Sequence, residues 1–146
     1  MSEEKTLFEL VGGRPCLERV HKIFYDKLFA HPWVGLFFKG KDQKTQENQQ
    51  TDFMTQPMGG EAIYCGKFPI PAHSHMYITE ELFNLRSSIL RESLKEAGVA
   101  DHLAEKWMNI DSSFKQGIVK KSESDLRGRY KNEEFLIFPN PEKPEK

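Results

Sequence analysis

Residues 71–83 read PAHSHMYITEELF and place two histidines, His73 and His75, shortly before the start of a predicted helix. Thr79 is a favourable N-cap, and the two glutamates that follow it suit the positive end of the helix dipole. If the segment before the cap is itself a helical turn, residues two apart point about 200° away from each other. We therefore expect only one of the two imidazoles to face the core.

Apolar residues recur at helical spacing on both sides of this stretch, whereas strand and hairpin signals are nearly absent. Glycine, proline and capping residues divide the pattern into helices with short connections. The sequence predicts an all-α protein with helices over residues 6–11, 15–31, 42–56, 79–98 and 101–118. We expect Asp42, Thr79 and Asp101 to be the N-caps of the last three.

The length of 146 residues suits one core. We expect a globular domain over residues 1–129 and a C-terminal extension over residues 130–146, partly disordered because its end is rich in Pro, Glu and Lys. The extension carries an apolar patch, residues 135–138. This patch is expected to dock on the domain or on a second copy, so the protein is expected to be a monomer or a weak homodimer.

Composition excludes several classes of protein. The 21 Lys and Arg residues and 22 Asp and Glu residues give a net charge of −1, which provides no field for binding nucleic acid. The chain has no apolar run of membrane-spanning length, and its first residues are acidic, unlike a signal peptide. Cys16 and Cys65 form no CxxC pair, which favours free thiols in a reducing compartment. We expect a cytoplasmic protein.

Polar side chains interrupt the inward face of the predicted third helix. Phe53 and Met54 define that face, and counting back by helical spacing leads to Gln50 and Gln46. Tyr25 lies in the apolar stripe of the second helix in the same way. A buried amide without hydrogen bonds costs about 1–3 kcal/mol, so these groups need partners. They hydrogen-bond to one another, reach solvent, or bind a polar ligand. The presence of three such side chains on inward faces favours a ligand.

An inward imidazole opposite a phenol and two amides, with aromatic walls between them, is the arrangement of a haem pocket. One axial ligand holds the iron, and hydrogen-bond donors on the other side stabilise a bound diatomic ligand. Phenols and carboxamides can both act as such donors.

The sequence resembles the truncated haemoglobins, the short two-over-two globin family, and is most similar to its first group. The resemblance covers residues 6–121 loosely and residues 37–83 without gaps. The matching residues are Gly12, Gly13, Phe24, Tyr25, Phe37, Phe38, Gln46, Gln50, Phe53, Gly59, Gly60, Tyr64, Gly66, His73, Ile78, Thr79 and Phe83. This resemblance implies a globin-like, truncated two-over-two helical sandwich that encloses haem b and reversibly binds O₂, NO or CO.

The resemblance also implies roles for individual residues. His73 takes the position of the proximal iron ligand, and Tyr25, Gln46 and Gln50 take the distal positions that stabilise the ligand. Together with both glutamines and His73, the expected haem contacts are Phe24, Phe38, Phe53, Met54, Tyr64, His75, Ile78, Phe83 and Arg86. Among them His75 is expected to be exposed or near the haem edge. Arg86 departs from the apolar or aromatic residue that is usual in the family, and is expected to reach either a haem propionate or solvent.

The family resemblance leaves the reaction open. NO dioxygenase or peroxidase-like activity, O₂ sensing and O₂ supply are all compatible with it, and a redox role would require an unidentified electron donor. An alternative is a small non-haem metal site formed by Cys65, His73 and His75, with His102 as a further candidate. A third possibility is a helical interaction module without a cofactor, with the patch of residues 135–138 as its contact surface.

Overall fold

The computed structural model describes residues 5–61 and 73–141. Within these ranges the protein is helical and has no β-strand, which confirms the all-α prediction. The α-helices are α1 (Leu7–Val11), α2 (Arg14–Ala30), α3 (Gln43–Thr55), α4 (Glu80–Glu96), α5 (Asp101–Ser112) and α6 (Lys115–Ile118). Short 3₁₀ helices span Val34–Phe38 and Glu123–Asp125. None of the helices in the described ranges combines the length and hydropathy that a membrane span requires.

Side-chain caps begin three of the helices. Thr6, Asp42 and Thr79 each accept a hydrogen bond from the backbone N–H three residues later, at 3.2, 2.9 and 3.1 Å. These bonds satisfy donors that have no partner inside the helix. The predicted starts of α3 and α4 are therefore confirmed.

Two details of the predicted fifth helix are wrong. Ala100 occupies the N-cap position, and Asp101 is the first helical residue, where its carboxylate still lies near the positive end of the helix dipole. The helix also ends at Ser112, and α6 forms a separate turn. The Ser113 hydroxyl donates to the carbonyl three residues back at 2.6 Å, and such bonds compete with the helical backbone pattern.

The core is centred on α2, which packs against α3 and α4, while α4 packs against α5. Helical spacing predicts one inward stripe on α2 that includes Tyr25, and this is confirmed, because Leu17, Val20, Phe24, Tyr25 and Leu28 are all buried. Tight packing also constrains a turn after α2, where a Cβ on Gly35 would lie 2.7 Å from the Phe29 carbonyl oxygen. Only glycine fits there without a shift of the backbone.

His21 is buried in this core, between α3 and α5. Its Nδ1 lies 2.7 Å from the Thr51 hydroxyl, and its ring meets Trp107 edge-on with the centroids 5.8 Å apart. Its Nε2 has no hydrogen-bond partner among the described residues. Burial, with a smaller contribution from the positive charge of Arg86, lowers the pKa of His21 from 6.5 to about 3. The imidazole is therefore neutral in the folded protein.

Acid is expected to destabilise the protein through His21. Because the pKa of His21 is lower in the folded state, the unfolded chain takes up the proton first as pH falls. The contribution of the neutral imidazole to stability is therefore complete above pH 6.5 and is lost as pH falls toward 3. Between pH 7 and 4.5 the loss should be about 2–3 kcal/mol. Urea unfolding at both pH values measures it, with His21→Gln as the variant that cannot titrate. An equal loss in the variant would contradict this assignment.

The C-terminal strap, residues 130–141, lies along the segment that precedes α4. The Leu136 N–H donates to the His75 carbonyl at 2.9 Å, and the Tyr77 N–H donates to the Leu136 carbonyl at 2.8 Å. Further along, the Trp33 indole N–H donates to the Phe138 carbonyl at 2.7 Å. The strap thus joins the segment around His75 to the turn that follows α2.

The apolar patch of residues 135–138 divides between two environments. Leu136 and Phe138 pack against the core, and the Phe138 ring meets Phe37 edge-on at 5.0 Å. Phe135 and Ile137 are exposed. Of the two expectations for this patch, docking on the protein's own domain is confirmed for Leu136 and Phe138.

Candidate functional site

A cavity of about 490 Å³ lies between α2, α3, α4 and the segment before α4. Its volume falls in the range of roughly 300–1,000 Å³ that is typical of cofactor sites. Much of the wall is aromatic or aliphatic: Leu28, Val34, Phe37, Phe38, Phe53, Met54, Met76, Ile78, Leu82, Phe83, Phe114 and Ile118. A flat, largely apolar group fits such a wall.

The same cavity is lined by the polar residues that the sequence singled out. Tyr25 enters from α2, Gln46 and Gln50 from adjacent turns of α3, and His73 from the segment before α4. Tyr25 is buried, whereas both glutamines and His73 are half-buried. Six of the residues expected to contact haem also line the cavity: Phe38, Phe53, Met54, Ile78, Phe83 and Arg86.

Aromatic neighbours fix the position of Tyr25. Its ring meets Phe24, Phe29 and Phe38 edge-on, with centroids 5.2, 6.3 and 5.8 Å apart. Edge-to-face contacts of this kind favour a defined ring orientation. The phenol therefore has little freedom to move relative to the cavity.

Lys120 fixes the backbone that carries His73. Its ammonium donates to the carbonyl oxygens of His73, Met76 and Ile118 at 2.9, 3.2 and 2.7 Å. These three bonds use every N–H of the ammonium. Burial lowers the pKa of Lys120 despite the opposing effect of Asp125. No pattern in the sequence predicts this contact, because Lys120 lies in a charged stretch that resembles a solvent-exposed surface.

The two neighbouring histidines have different surroundings. His73 lines the cavity, whereas His75 does not and is covered by the strap with only 2% of its surface exposed. The His75 Nε2 lies 3.9 Å from a Glu133 carboxylate oxygen, and its Nδ1 has no hydrogen-bond partner among the described residues. Burial is the main cause that lowers the pKa of His75. The expectation that His75 is exposed is therefore wrong, because the strap covers it, and its position relative to the haem edge stays a prediction.

Arg86 forms part of the cavity wall and is paired with an acidic residue, which neither expectation for it included. Its Nη1 donates to Asp111 at 2.7 Å, and the guanidinium lies over the rings of Phe24 and Phe83, 5.1 and 5.5 Å from their centroids. Burial, the largest single effect, lowers the pKa of Arg86, but Asp111 and Tyr25 together raise it by more, so the net direction is upward. Phe24 thus supports Arg86 and is absent from the residues that line the cavity.

Two further cations line the cavity. Lys41 is exposed, and Arg129 is held by Glu133, whose carboxylate accepts from Nε of Arg129 at 2.7 Å. Cations of this kind suit the carboxylates of a haem propionate. Sequence patterns did not identify either residue, because each lies in a connecting segment without helical periodicity.

The proposed non-haem metal site is not assembled by the residues that the structure describes. Over residues 5–61 and 73–141, no group of three or more His, Cys, Asp or Glu side chains is placed to hold a metal ion. His73 and His75 face different surroundings, and His102 is exposed. Cys65 and the predicted haem contact Tyr64 lie outside the described residues.

Residues 6–119 match the family model described as bacterial-like globin. Among curated proteins, the group 1 truncated hemoglobin of Tetrahymena pyriformis is 37% identical over 101 residues, which cover 69% of this chain and 84% of that protein. The corresponding protein of Tetrahymena thermophila is 34% identical over 103 residues, covering 70% and 85%.

Solved structures agree with this grouping. The Fe(III) form of the truncated hemoglobin from Tetrahymena pyriformis superposes with a TM-score of 0.75 at 32% identity, covering 80% of this chain and all of that one. The group II truncated hemoglobin from Bacillus anthracis gives a TM-score of 0.74 at 25% identity, covering 82% and 94%. The two-over-two helical sandwich predicted from the sequence is thereby confirmed.

Proposed function

Because the chain belongs to the truncated haemoglobins, within the bacterial-like globins, and is a haem-binding globin, we propose that it binds O₂ reversibly at an iron ligated by His73. Tyr25, Gln46 and Gln50 donate hydrogen bonds to the bound ligand. The single observation that carries the proposal is that these four side chains line one cavity with aromatic walls. When bound, the haem supplies the metal that coordinates a diatomic ligand.

The residues around the cavity fit a haem and divide the work of holding it. His73 offers the imidazole, and Lys120 fixes its backbone through the carbonyl at 2.9 Å. Lys41 and Arg129 offer positive charge to the propionates. The apolar wall excludes water from the metal, and it includes Phe38, Phe53, Met54, Ile78 and Phe83.

The distal roles follow from donor chemistry and position. A phenol held by three rings and two amides on adjacent turns of α3 present N–H and O–H groups to the same cavity. Hydrogen bonds strengthen when the acceptor carries partial negative charge, as bound O₂ does. The solved structures of the Tetrahymena pyriformis relative include variants of a tyrosine and of two glutamines, the same residue types that line this cavity.

Removing the distal donors is expected to speed O₂ release. In Tyr25→Phe and in Gln50→Leu, the O₂ dissociation rate should rise by about 5- to 30-fold each, which corresponds to about 1–2 kcal/mol per hydrogen bond. Stopped-flow displacement of O₂ from the ferrous protein by excess CO measures this rate. CO is less polar when bound, so its own dissociation should change less.

Asn48→Leu is the matched control, because Asn48 lies on α3 but is exposed and does not line the cavity. Its dissociation rate should equal that of the original protein. Equal rates in Tyr25→Phe, Gln50→Leu and the original protein would contradict the proposed distal roles.

A further inference from the structure

The cavity contains a positive charge that the binding of a neutral gas does not require. Arg86 lies between α4 and its neighbours, yet a quarter of its side chain remains accessible. The residue also forms part of the cavity wall. A guanidinium in this position costs desolvation energy that an apolar residue would avoid.

The guanidinium is only partly used by its protein partner. A guanidinium carries several N–H donors, and the one hydrogen bond of Arg86 to a described residue runs from Nη1 to Asp111. Among the described residues, the buried side-chain nitrogens that lack a hydrogen-bond partner belong to His21 and His75. None of them belongs to Arg86. Its other N–H groups can therefore take a further acceptor.

Neighbouring groups position this charge, and Asp111 offsets part of it. The rings of Phe24 and Phe83 lie under the guanidinium at 5.1 and 5.5 Å, and they restrict its orientation. Asp111 supplies one carboxylate, whereas Lys41 and Arg129 add two more positive charges to the same lining. Arg129 is paired with Glu133. Both Lys41 and Arg129 are assigned to the propionates, so Arg86 is the cation of the described lining that the proposed function does not use.

We propose that Arg86 makes this cavity a binding site for small singly charged anions, such as azide and nitrite, next to the haem iron. This proposal rests on the proposed function of the same site. The anion binds between the guanidinium and the neutral donors Tyr25 and Gln50, which all line the cavity. Asp111 holds the guanidinium in place, and its own negative charge limits the affinity.

Titration of the ferric haem protein with azide and with nitrite, followed by the visible spectrum, tests the proposal. In Arg86→Met the dissociation constant of azide should rise roughly 10- to 100-fold, because a charge-assisted hydrogen bond is lost. Arg86→Lys keeps the charge without the planar donor geometry, so its dissociation constant for azide should lie between those of the original protein and Arg86→Met. The affinity of the ferrous protein for neutral CO should stay within about twofold in both variants.

Asp111→Asn separates an electrostatic role from a structural one. Removing the competing carboxylate should tighten azide binding by about 3- to 10-fold, opposite in sign to the effect of Arg86→Met. If both variants weaken azide binding equally, the ion pair only maintains the fold and the proposal fails. It also fails if azide affinity is unchanged in Arg86→Met while haem is retained. A chain that takes up no haem would instead overturn the proposed function, and this inference with it.

Discussion

Replacing His73 by alanine is expected to abolish stable haem binding, whereas replacing His75 is expected to preserve it. His73 lines the cavity and is the proposed iron ligand, while His75 is turned toward Glu133 under the strap. Loss of an outer-shell partner of a metal ligand typically costs 10- to 100-fold in affinity, so loss of the ligand itself should speed haem release by more than about 100-fold. The Soret absorbance per protein chain and the rate of haem transfer to an excess of a scavenging apoprotein measure the effect.

His75→Gln is the matched variant, because it removes an imidazole two residues away but keeps a side chain that can hydrogen-bond. It should retain one haem per chain. Its free energy of unfolding should fall, because the imidazole beside the Glu133 carboxylate is lost. Added imidazole should partly restore the spectrum of His73→Ala by occupying the vacated position. Retention of haem in His73→Ala together with its loss in His75→Gln would reverse the proposed assignment.

Removing residues 130–146 is expected to lower the free energy of unfolding by about 2–4 kcal/mol, the scale of two partly buried apolar side chains and the hydrogen bonds that accompany them. The strap pairs with the backbone at His75 and Tyr77, and its Phe138 accepts from the Trp33 indole at 2.7 Å. Without it, His75 becomes exposed and the segment that carries His73 loses its cover. Haem release should therefore also accelerate.

A chain that lacks only residues 142–146 is the control, because it keeps Leu136 and Phe138. Its free energy of unfolding, from urea titration of the haem protein, should match that of the full chain. The same pair of variants tests whether residues 1–129 form a separable domain, which is still a prediction. If the longer truncation changes the free energy by less than about 0.5 kcal/mol, the scale of an ordinary surface change, the strap contributes nothing to stability.

Local signals in the sequence predicted most of the secondary structure. Helix starts at Asp42 and Thr79 depend on side chains only three residues from the amides they cap, so a short window contains the whole interaction. The buried face of α2 follows from its own periodicity in the same way. Asp101 was misplaced because acidic residues are favourable both at the N-cap and in the first turn, and the pattern alone does not separate the two.

The candidate site was less accessible to such reasoning. Residue types and the family resemblance suggested His73, Tyr25 and both glutamines, but Arg86 was expected to face a propionate or solvent. Its partner Asp111 lies 25 positions away in the chain, and only the packing of α4 against α5 brings them together. His21 did carry a signal, because it is four residues from Leu17 and four from Tyr25, on the stripe that is buried.

The three hydrogen bonds of Lys120 have an implication for how the protein tolerates sequence change. Since the ammonium binds main-chain oxygens only, its bonds do not depend on the side chains at positions 76 and 118, which are constrained instead by the apolar cavity wall that they form. For the same reason, a change of side chain at either position does not replace the hydrogen bonds that loss of Lys120 removes. In double-mutant cycles, Lys120 should therefore show little coupling energy with the side chain at position 76 or at position 118.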